Sequence, residues 1–213
     1  MPELTFRVLG VEGVARGLIP LLHFRLEITN TPETEEIHGI ILQAQVHIES
    51  AQRPYGEEEK KRLIELFDTP DRWAQTLRTR LWTHTGMSVQ RFSNRVDGIL
   101  EIPCPYDLNI AATKYFYALQ QGEVPLLFLF SGTVFYSGAG EKLQVQRIPW
   151  DKECKYRMPL KVWQELMENH YPGSAWISLP RHVFERLYAY KRDHGIPTWE
   201  ITIERLLSGS GEK

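Results

Sequence analysis

The chain has 213 residues, of which 42% are hydrophobic and 24% are charged, a balance typical of a globular protein that can fill a core. Its net charge of -2 argues against binding nucleic acid through a basic surface and against adsorption to an anionic membrane. Two cysteines are too few for a disulfide framework, and no apolar run approaches the ~20 residues that a membrane-spanning helix needs. The N-terminus, MPELTFRVLG, lacks the pattern of a secretory signal. We therefore expect a cytoplasmic protein with no membrane insertion and no nucleic-acid partner.

The first 50 residues predict β-strands. Apolar and polar residues alternate in residues 21–29 (LLHFRLEIT) and again in residues 40–49 (IILQAQVHIE), the period of a strand with one buried face. A polar segment with a proline, residues 30–36, separates the two runs. The simplest arrangement is an antiparallel hairpin of these two strands, and LTFRV (4–8) supplies a further strand.

Two helices are predicted next, inserted at about residues 57–79. EEEKKRLIELF (57–67) opens with three glutamates, which oppose the dipole at a helix N-terminus. Leu63, Ile64 and Phe67 then form an apolar stripe at helical spacing. Thr69 followed by Pro70 indicates the start of a second, shorter helix, after which the pattern returns to strands.

The run EVPLLFLFSGTVFY (123–136) predicts a central strand that is covered on both faces, because it is rich in β-branched and aromatic residues and has no internal charge. Gly132 within it indicates a bulge or a close approach of another backbone. LQVQRI (143–148) should pair with this strand, whereas AATKYFYALQQG (111–122) fits either a short helix or a bent strand. The predicted core includes Leu26, Leu42, Val46, Phe128, Phe130 and Val134.

Helices dominate the last third of the chain. Pro159, Pro180 and Pro197 each precede a helical apolar pattern, and SGSGEK (208–213) is typical of a disordered tail. Strands first and helices last predict an α+β protein with an antiparallel sheet or sandwich built from residues 1–50 and 80–158. We expect a single domain over residues 1–207, the alternative being two domains divided near residue 52 or 158.

Neither metal nor cofactor binding is predicted. His23 and His47 lie on outward strand faces without a spaced third ligand, and two imidazoles alone make a poor metal site. His182 and His194 would lie roughly 120° apart around a helix. The spaced glycines of GVEGVARG (10–17) lack the strand-to-helix setting of a phosphate-binding loop.

An enzyme is the less favoured functional class. Its sharpest form is a hydrolase that uses Cys104 or Ser131 as the nucleophile. Ser131 lies within a strand pattern without the strand–turn–helix setting of a nucleophile elbow. Cys104, between two prolines, is typical of a half-buried structural thiol. We therefore predict no catalytic residue and favour a non-catalytic protein-binding or accessory protein, which can also form oligomers.

The predicted binding surface is the loop Pro149 to Arg157, within IPWDKECKYRMP (148–159). Tryptophan, tyrosine and arginine most often dominate the free energy of protein–protein binding, and this loop concentrates them among charged residues. TKYFY (113–117) has the same aromatic and basic character. The alternative is a rim loop whose tryptophan covers the core. The candidate residues are Trp150, Asp151, Lys152, Tyr156 and Arg157, with Tyr115 and Tyr117 as neighbours.

Five phrases together resemble a bacterial family of unknown function: FRLEITN, LWTH, residues 102–136 (IPCPYDLNIAATKYFYALQQGEVPLLFLFSGTVFY), IPWDKE and GIPTWE. The resemblance covers most of the chain, and residues 101–153 are its most specific part. Members of that family are often encoded near uptake nickel–iron ([NiFe]) hydrogenase genes. The resemblance therefore implies an accessory or assembly role with a hydrogenase component as partner, and it brings no catalytic residues. The order of elements also resembles that of SecB-like export chaperones, an analogy of layout only.

Overall fold

A computed structural model of the chain describes residues 2–14, 16–138 and 142–209, which form eight strands and six α-helices. The strands are β1 (Glu3–Gly13), β2 (Leu21–Thr31), β3 (Ile37–Ile48), β4 (Arg80–Val89), β5 (Arg95–Pro103), β6 (Glu123–Ser137), β7 (Leu143–Arg147) and β8 (Glu153–Pro159). The helices are α1 (Glu57–Phe67), α2 (Trp73–Thr76), α3 (Ile110–Ala118), α4 (Leu160–His170), α5 (Arg181–Asp193) and α6 (Trp199–Gly209). All strand pairs are antiparallel, so the predicted α+β class is confirmed.

The strands divide between two sheets. The first has the order β1-β2-β5, and the second has the order β4-β3-β6-β7, with β8 also paired to β6. β4 runs beside β5 and β1 runs beside β8, so the two sheets approach each other along these edges. The apolar faces meet between the sheets, where Phe6 stacks on Phe130 with ring centroids 4.3 Å apart and Phe24 meets Phe128 at 5.3 Å.

The predicted hairpin of residues 21–29 with residues 40–49 is wrong, because β2 and β3 belong to different sheets. β2 pairs with β1 and β5, whereas β3 pairs with β4 and β6. The chain crosses from the first sheet to the second between β2 and β3. At this crossing the buried side-chain amide of Asn30 donates hydrogen bonds to the carbonyls of Pro32, Glu35 and Ser93. Alternation shows that a strand has one buried face. It does not show whether two such strands pair within one sheet or face each other from opposite sheets.

β6 is the central strand of the second sheet, as predicted, and lies between β3 and the pair β7 and β8. Both of its faces are covered only near its start, at Val124–Leu126, and the outer face opens further along, so that Ser131 is exposed. Gly132 has a φ of +143° and lies against the β3 backbone, which confirms the predicted close approach. The predicted core residues Leu26, Leu42, Val46, Phe128, Phe130 and Val134 are all buried.

Helices pack against the sheets at several points of the unit Met1–Ser174. α1 begins with its three glutamates, as predicted, and α2 is a single turn. The ambiguous segment 111–122 contains most of α3, which packs against α1. The helix is capped by Asn109, whose side chain accepts a hydrogen bond from the Ala112 amide. α4 begins after Pro159 and packs on β1 and β2.

The second compact unit is Ala175–Lys213 and contains α5 and α6. Its two helices share aromatic contacts: the Trp199 ring lies 5.5 Å from that of Phe184 and 6.1 Å from that of Tyr188. Together with α4, these helices confirm the three predicted near the end of the chain. Ser208 and Gly209 of the predicted tail end α6, and the remainder of that tail, residues 210–213, lies outside the described residues.

Candidate functional site

The candidate site is a five-residue turn between β7 and β8, residues 148–152, which we name the Trp150 turn. β7 and β8 both pair with β6 and lie end to end along it. The Ile148 amide donates to the Gly132 carbonyl at 3.0 Å, and the Phe130 amide donates to the Lys152 carbonyl at 2.8 Å. The turn therefore sits opposite only the β6 segment 130–132, and its extra residues leave the ladder as an enlarged β-bulge.

The local sequence explains why this bulge is ordered. Ile148 is buried and fixes one end, and the Lys152 amide closes the turn on the Pro149 carbonyl at 3.3 Å. Pro149 has a restricted φ and no amide hydrogen to pair. The Lys152 ammonium lies 3.4 Å from the Glu3 carboxylate of β1. Trp150 at the tip is 92% exposed, so a large apolar ring stands in water on a fixed backbone.

A depression of about 310 Å³ adjoins the Trp150 turn. Its walls come from the start of β1, including Glu3 and Leu4, from Val134 and Gln146, and from the turn itself. The Gln146 Oε1 atom is buried and has no hydrogen-bond partner among the described residues. The turn thus combines a protruding indole with an adjacent hollow that carries an unsatisfied acceptor.

Tyr156 and Arg157 do not belong to this turn, because residues from Glu153 onward form β8. The predicted loop therefore ends at Lys152. Tyr156 is half-buried and meets the Phe24 ring edge-on at 6.0 Å, while Arg157 is exposed. Burial raises the pKa of Tyr156, with a further contribution from the Glu123 carboxylate.

The structure does not bring Tyr115 and Tyr117 to the Trp150 turn. Tyr115 is buried, and its hydroxyl lies 2.8 Å from that of Tyr55, which donates to the Ser50 carbonyl. This cluster lies at the level of Pro125 on β6, because the adjacent Glu49 amide bonds the Pro125 carbonyl. The turn lies five residues further along β6, about 16 Å away at the usual rise of a strand.

Tyr117 lines a separate aromatic cleft of about 640 Å³ between α3 and α4. Tyr106 stacks on Tyr171 at 4.6 Å, Tyr117 meets Trp163 at 6.0 Å, and the hydroxyls of Tyr106 and Tyr117 both donate to the Ser174 carbonyl. Burial raises the pKa of Tyr106, as does its interaction with Tyr117. Sequence patterns do not reveal this cleft, because its aromatic residues are far apart in the sequence.

The two residues of the hydrolase alternative lack the geometry of a nucleophile. Cys104 is buried, its Sγ contacts the Ile102 carbonyl at 3.4 Å, and burial raises the pKa of its thiol. Ser131 shares a shallow depression with His84, but β3 lies between their strands. Two strand spacings separate the backbones by about 10 Å, too far for a hydrogen-bonded pair.

We expect neither thiol to be reactive in the folded protein. Burial raises the pKa of Cys154 to about 11, so roughly one molecule in a thousand carries the thiolate at pH 8. Alkylation of Cys154 by iodoacetamide should be about a hundredfold slower than that of free cysteine at pH 8, and faster at higher pH. Peptide mass spectrometry of the alkylated protein, with a urea-unfolded control, measures this. Reaction of either native thiol at the free-cysteine rate would contradict it.

The histidines are dispersed. His23 and His47 lie in different sheets, and the nearest charged partner of His23 is Glu101, at 3.4 Å. Burial, together with the neighbouring His84, lowers the pKa of His47. Within the described ranges, no group of three or more histidine, cysteine or acidic side chains is placed to hold a metal ion. No helix in those ranges has the length and apolar character to span a membrane.

Solved structures give distant similarities. The solution structure of a protein described as late embryogenesis abundant has a TM-score of 0.30 and 11% identity, and the match covers 75% of this chain and 72% of that one. A Bordetella pertussis protein described as ApaA has a TM-score of 0.27 and 13% identity, and the match covers 74% of this chain and 95% of that one. A β-glucosidase from Kluyveromyces marxianus has a TM-score of 0.24 and 5% identity, with 74% and 15% covered. Scores this low support no conclusion about function.

The comparison with protein families is more informative. No curated protein matches the chain. One family of unknown function, DUF6084, matches residues 1–213, which is the whole chain. The match agrees with the expected membership of an uncharacterised family. The chain belongs to the DUF6084 family.

Proposed function

We propose that this chain is a non-catalytic accessory protein that binds another protein through the Trp150 turn. The observation that supports the proposal is the 92% exposure of Trp150 on a turn whose ends are fixed by backbone hydrogen bonds to β6. An aromatic residue at the centre of a binding surface commonly dominates its free energy. A turn ordered before binding also loses less conformational entropy when a partner docks.

The free energy that burial of the indole would release favours a binding role for Trp150. A tryptophan side chain buries roughly 150–250 Å² when it is covered, which at ~25 cal/mol per Å² releases about 4–6 kcal/mol before the costs of association. The intramolecular alternative, a tryptophan that covers the core, does not fit an indole that is almost entirely in water. Exposed Arg147 and Asp151 supply a polar rim of mixed charge. The partner surface that fits is an apolar pocket with charged groups of both signs around it.

A hydrogenase component as the partner rests on the family resemblance alone and stays a prediction. The same holds for the SecB-like alternative. Identification of the partner therefore begins with affinity capture from the native host and mass spectrometry, followed by purification of the captured protein.

We expect Trp150→Ala to weaken binding of that purified partner by ~2 kcal/mol or more, about a 30-fold increase in Kd. The melting temperature should barely change, because the indole makes little contact within the chain. Isothermal titration calorimetry and a thermal melt on the same sample measure both quantities. An affinity equal to that of the unaltered protein, or a stability loss of ~3–5 kcal/mol, would contradict the proposal that the turn is the binding site.

A further inference from the structure

β7 presents the most open strand edge among the described strands. The other edge strands each run beside an edge of the opposite sheet, β4 beside β5 and β1 beside β8. β7 pairs with β6 on one side, and no described strand lies along its other side. An open strand edge is a template for pairing with another chain unless charges or prolines block it.

The hydrogen-bond phase shows which groups of β7 are free. The bonds from the Ile148 amide to the Gly132 carbonyl and from the Gly138 amide to the Lys142 carbonyl fix the alternation. In an antiparallel ladder, alternate residues bond the same neighbour. The backbones of Gln144 and Gln146 therefore face β6, and those of residues 143, 145 and 147 face the open edge. Within the described part of the chain, these amides and carbonyls have no strand partner.

The side chains of this edge lack the usual protection against pairing. Leu143 is 62% exposed and Val145 is 60% exposed, and both lie on the outer face of the sheet. The only charge in β7 is Arg147, at its end. β1, by contrast, carries the charged residues Glu3, Arg7 and Glu12. Charged side chains commonly prevent strand edges from pairing.

We infer that β7 pairs with β7 of a second copy of this chain, antiparallel and about a two-fold axis at Val145. In that register Val145 faces itself, and Leu143 faces Arg147 of the second copy. All three of these residues expose their backbone groups on the open edge, so the two strands exchange a full set of ladder hydrogen bonds. This inference goes beyond the proposed function and does not depend on it.

Self-pairing fits this edge better than the addition of an arbitrary strand. The Trp150 turn interrupts the edge after Arg147, so only five residues are open, and β7 itself has that length. No like charges meet in the two-fold register, because Arg147 lies opposite a leucine. Leu143 and Val145 of both copies form one apolar cluster on the outer face, an isologous contact of the kind that closes a dimer.

The register makes a charge-reversal experiment possible. Val145→Lys places two ammonium groups at the two-fold axis, and Val145→Asp places two carboxylates there. Each variant alone should raise the dimer dissociation constant by roughly tenfold or more, because like charges directly opposite each other destabilise strand pairing. An equimolar mixture of the two variants should regain the dimer, since opposite charges then meet at the axis. Ile99→Lys, on an exposed position of β5, is the matched control.

Light scattering after size-exclusion chromatography over a concentration series measures the mass, and circular dichroism verifies folding of each variant. The unaltered protein and the Ile99→Lys control should approach twice 24.8 kDa as concentration rises. A mass of 24.8 kDa at every concentration for the unaltered protein would overturn the inference. So would dimers of both Val145 variants as stable as the original, or a mixture no more dimeric than its components.

Discussion

Glu59→Ala is expected to destabilise the protein by about 3–5 kcal/mol, the usual cost of removing one partner from a buried ion pair. The Arg53 and Glu59 side chains are 6% and 5% exposed, and their charged groups lie 2.8 Å apart. Loss of the carboxylate leaves the guanidinium without a counter-charge where water cannot replace it.

The same carboxylate also joins three parts of the fold. Glu59 accepts hydrogen bonds from the Gly56 amide at the start of α1 and from the Gln120 amide between α3 and β6. Arg53 donates to the carbonyls of Gln121 and Glu123 at the entrance to β6. Removal of the Glu59 carboxylate therefore leaves backbone amides without a partner as well as an unpaired charge. We accordingly expect the loss of stability to lie in the upper part of the ~3–5 kcal/mol range.

Urea unfolding of matched variants measures the effect. Glu57→Ala is the control, because Glu57 is 81% exposed, and its pair with Lys60 should contribute no more than ~0.5 kcal/mol. The double change of Arg53→Met with Glu59→Leu should recover the part of the loss that comes from the unpaired guanidinium, since apolar residues of similar volume remove the buried charge. It should not recover the part that comes from the freed Gly56 and Gln120 amides. A loss below ~1 kcal/mol for Glu59→Ala would contradict the structural role of this pair.

Gly132→Ala is the second change with a large expected effect, about 3–5 kcal/mol of lost stability. A β-carbon at this position would lie 2.1 Å from the Ile41 carbonyl oxygen of β3, and the φ of +143° is strained for alanine. Relief requires β3 to move away from β6, which opens the central pair of the second sheet. Gly56→Ala is the matched control, because nothing lies within 4 Å of its added carbon. Thermal and urea unfolding that rank the two variants equally would contradict this account.

Sequence patterns predicted individual elements well because burial acts locally. The alternation in residues 21–29 and 40–49 reflects faces that are buried, and the glutamates at 57–59 mark the start of a helix. The apolar run at 123–136 identified the central strand, and Gly132 marked the close approach of β3. Each of these signals depends only on residues that are close in the sequence and on whether that segment is buried.

Strand pairing and the geometry of the candidate site could not be predicted from the sequence in the same way. β3 pairs with β4 and with β6, which begins 75 residues after β3 ends, and nothing local distinguishes these partners from β2. The Trp150 turn was identified by composition, but its extent was wrong because Glu153–Arg157 pairs with β6. Tyr115 was assigned to the surface, whereas its hydroxyl bonds that of Tyr55, which lies before α1 and approaches Tyr115 only in the tertiary fold.

Site-specific photocrosslinking in the native host tests whether the Trp150 turn binds another protein. Trp150 is replaced by p-benzoylphenylalanine, with Ile99 on the first sheet replaced in the same way as the control. After irradiation, we expect one dominant protein other than this chain to be crosslinked at position 150, absent at position 99 and displaced by an excess of the unaltered protein. Crosslinking at position 150 no stronger than at position 99, with no single protein enriched, would contradict it.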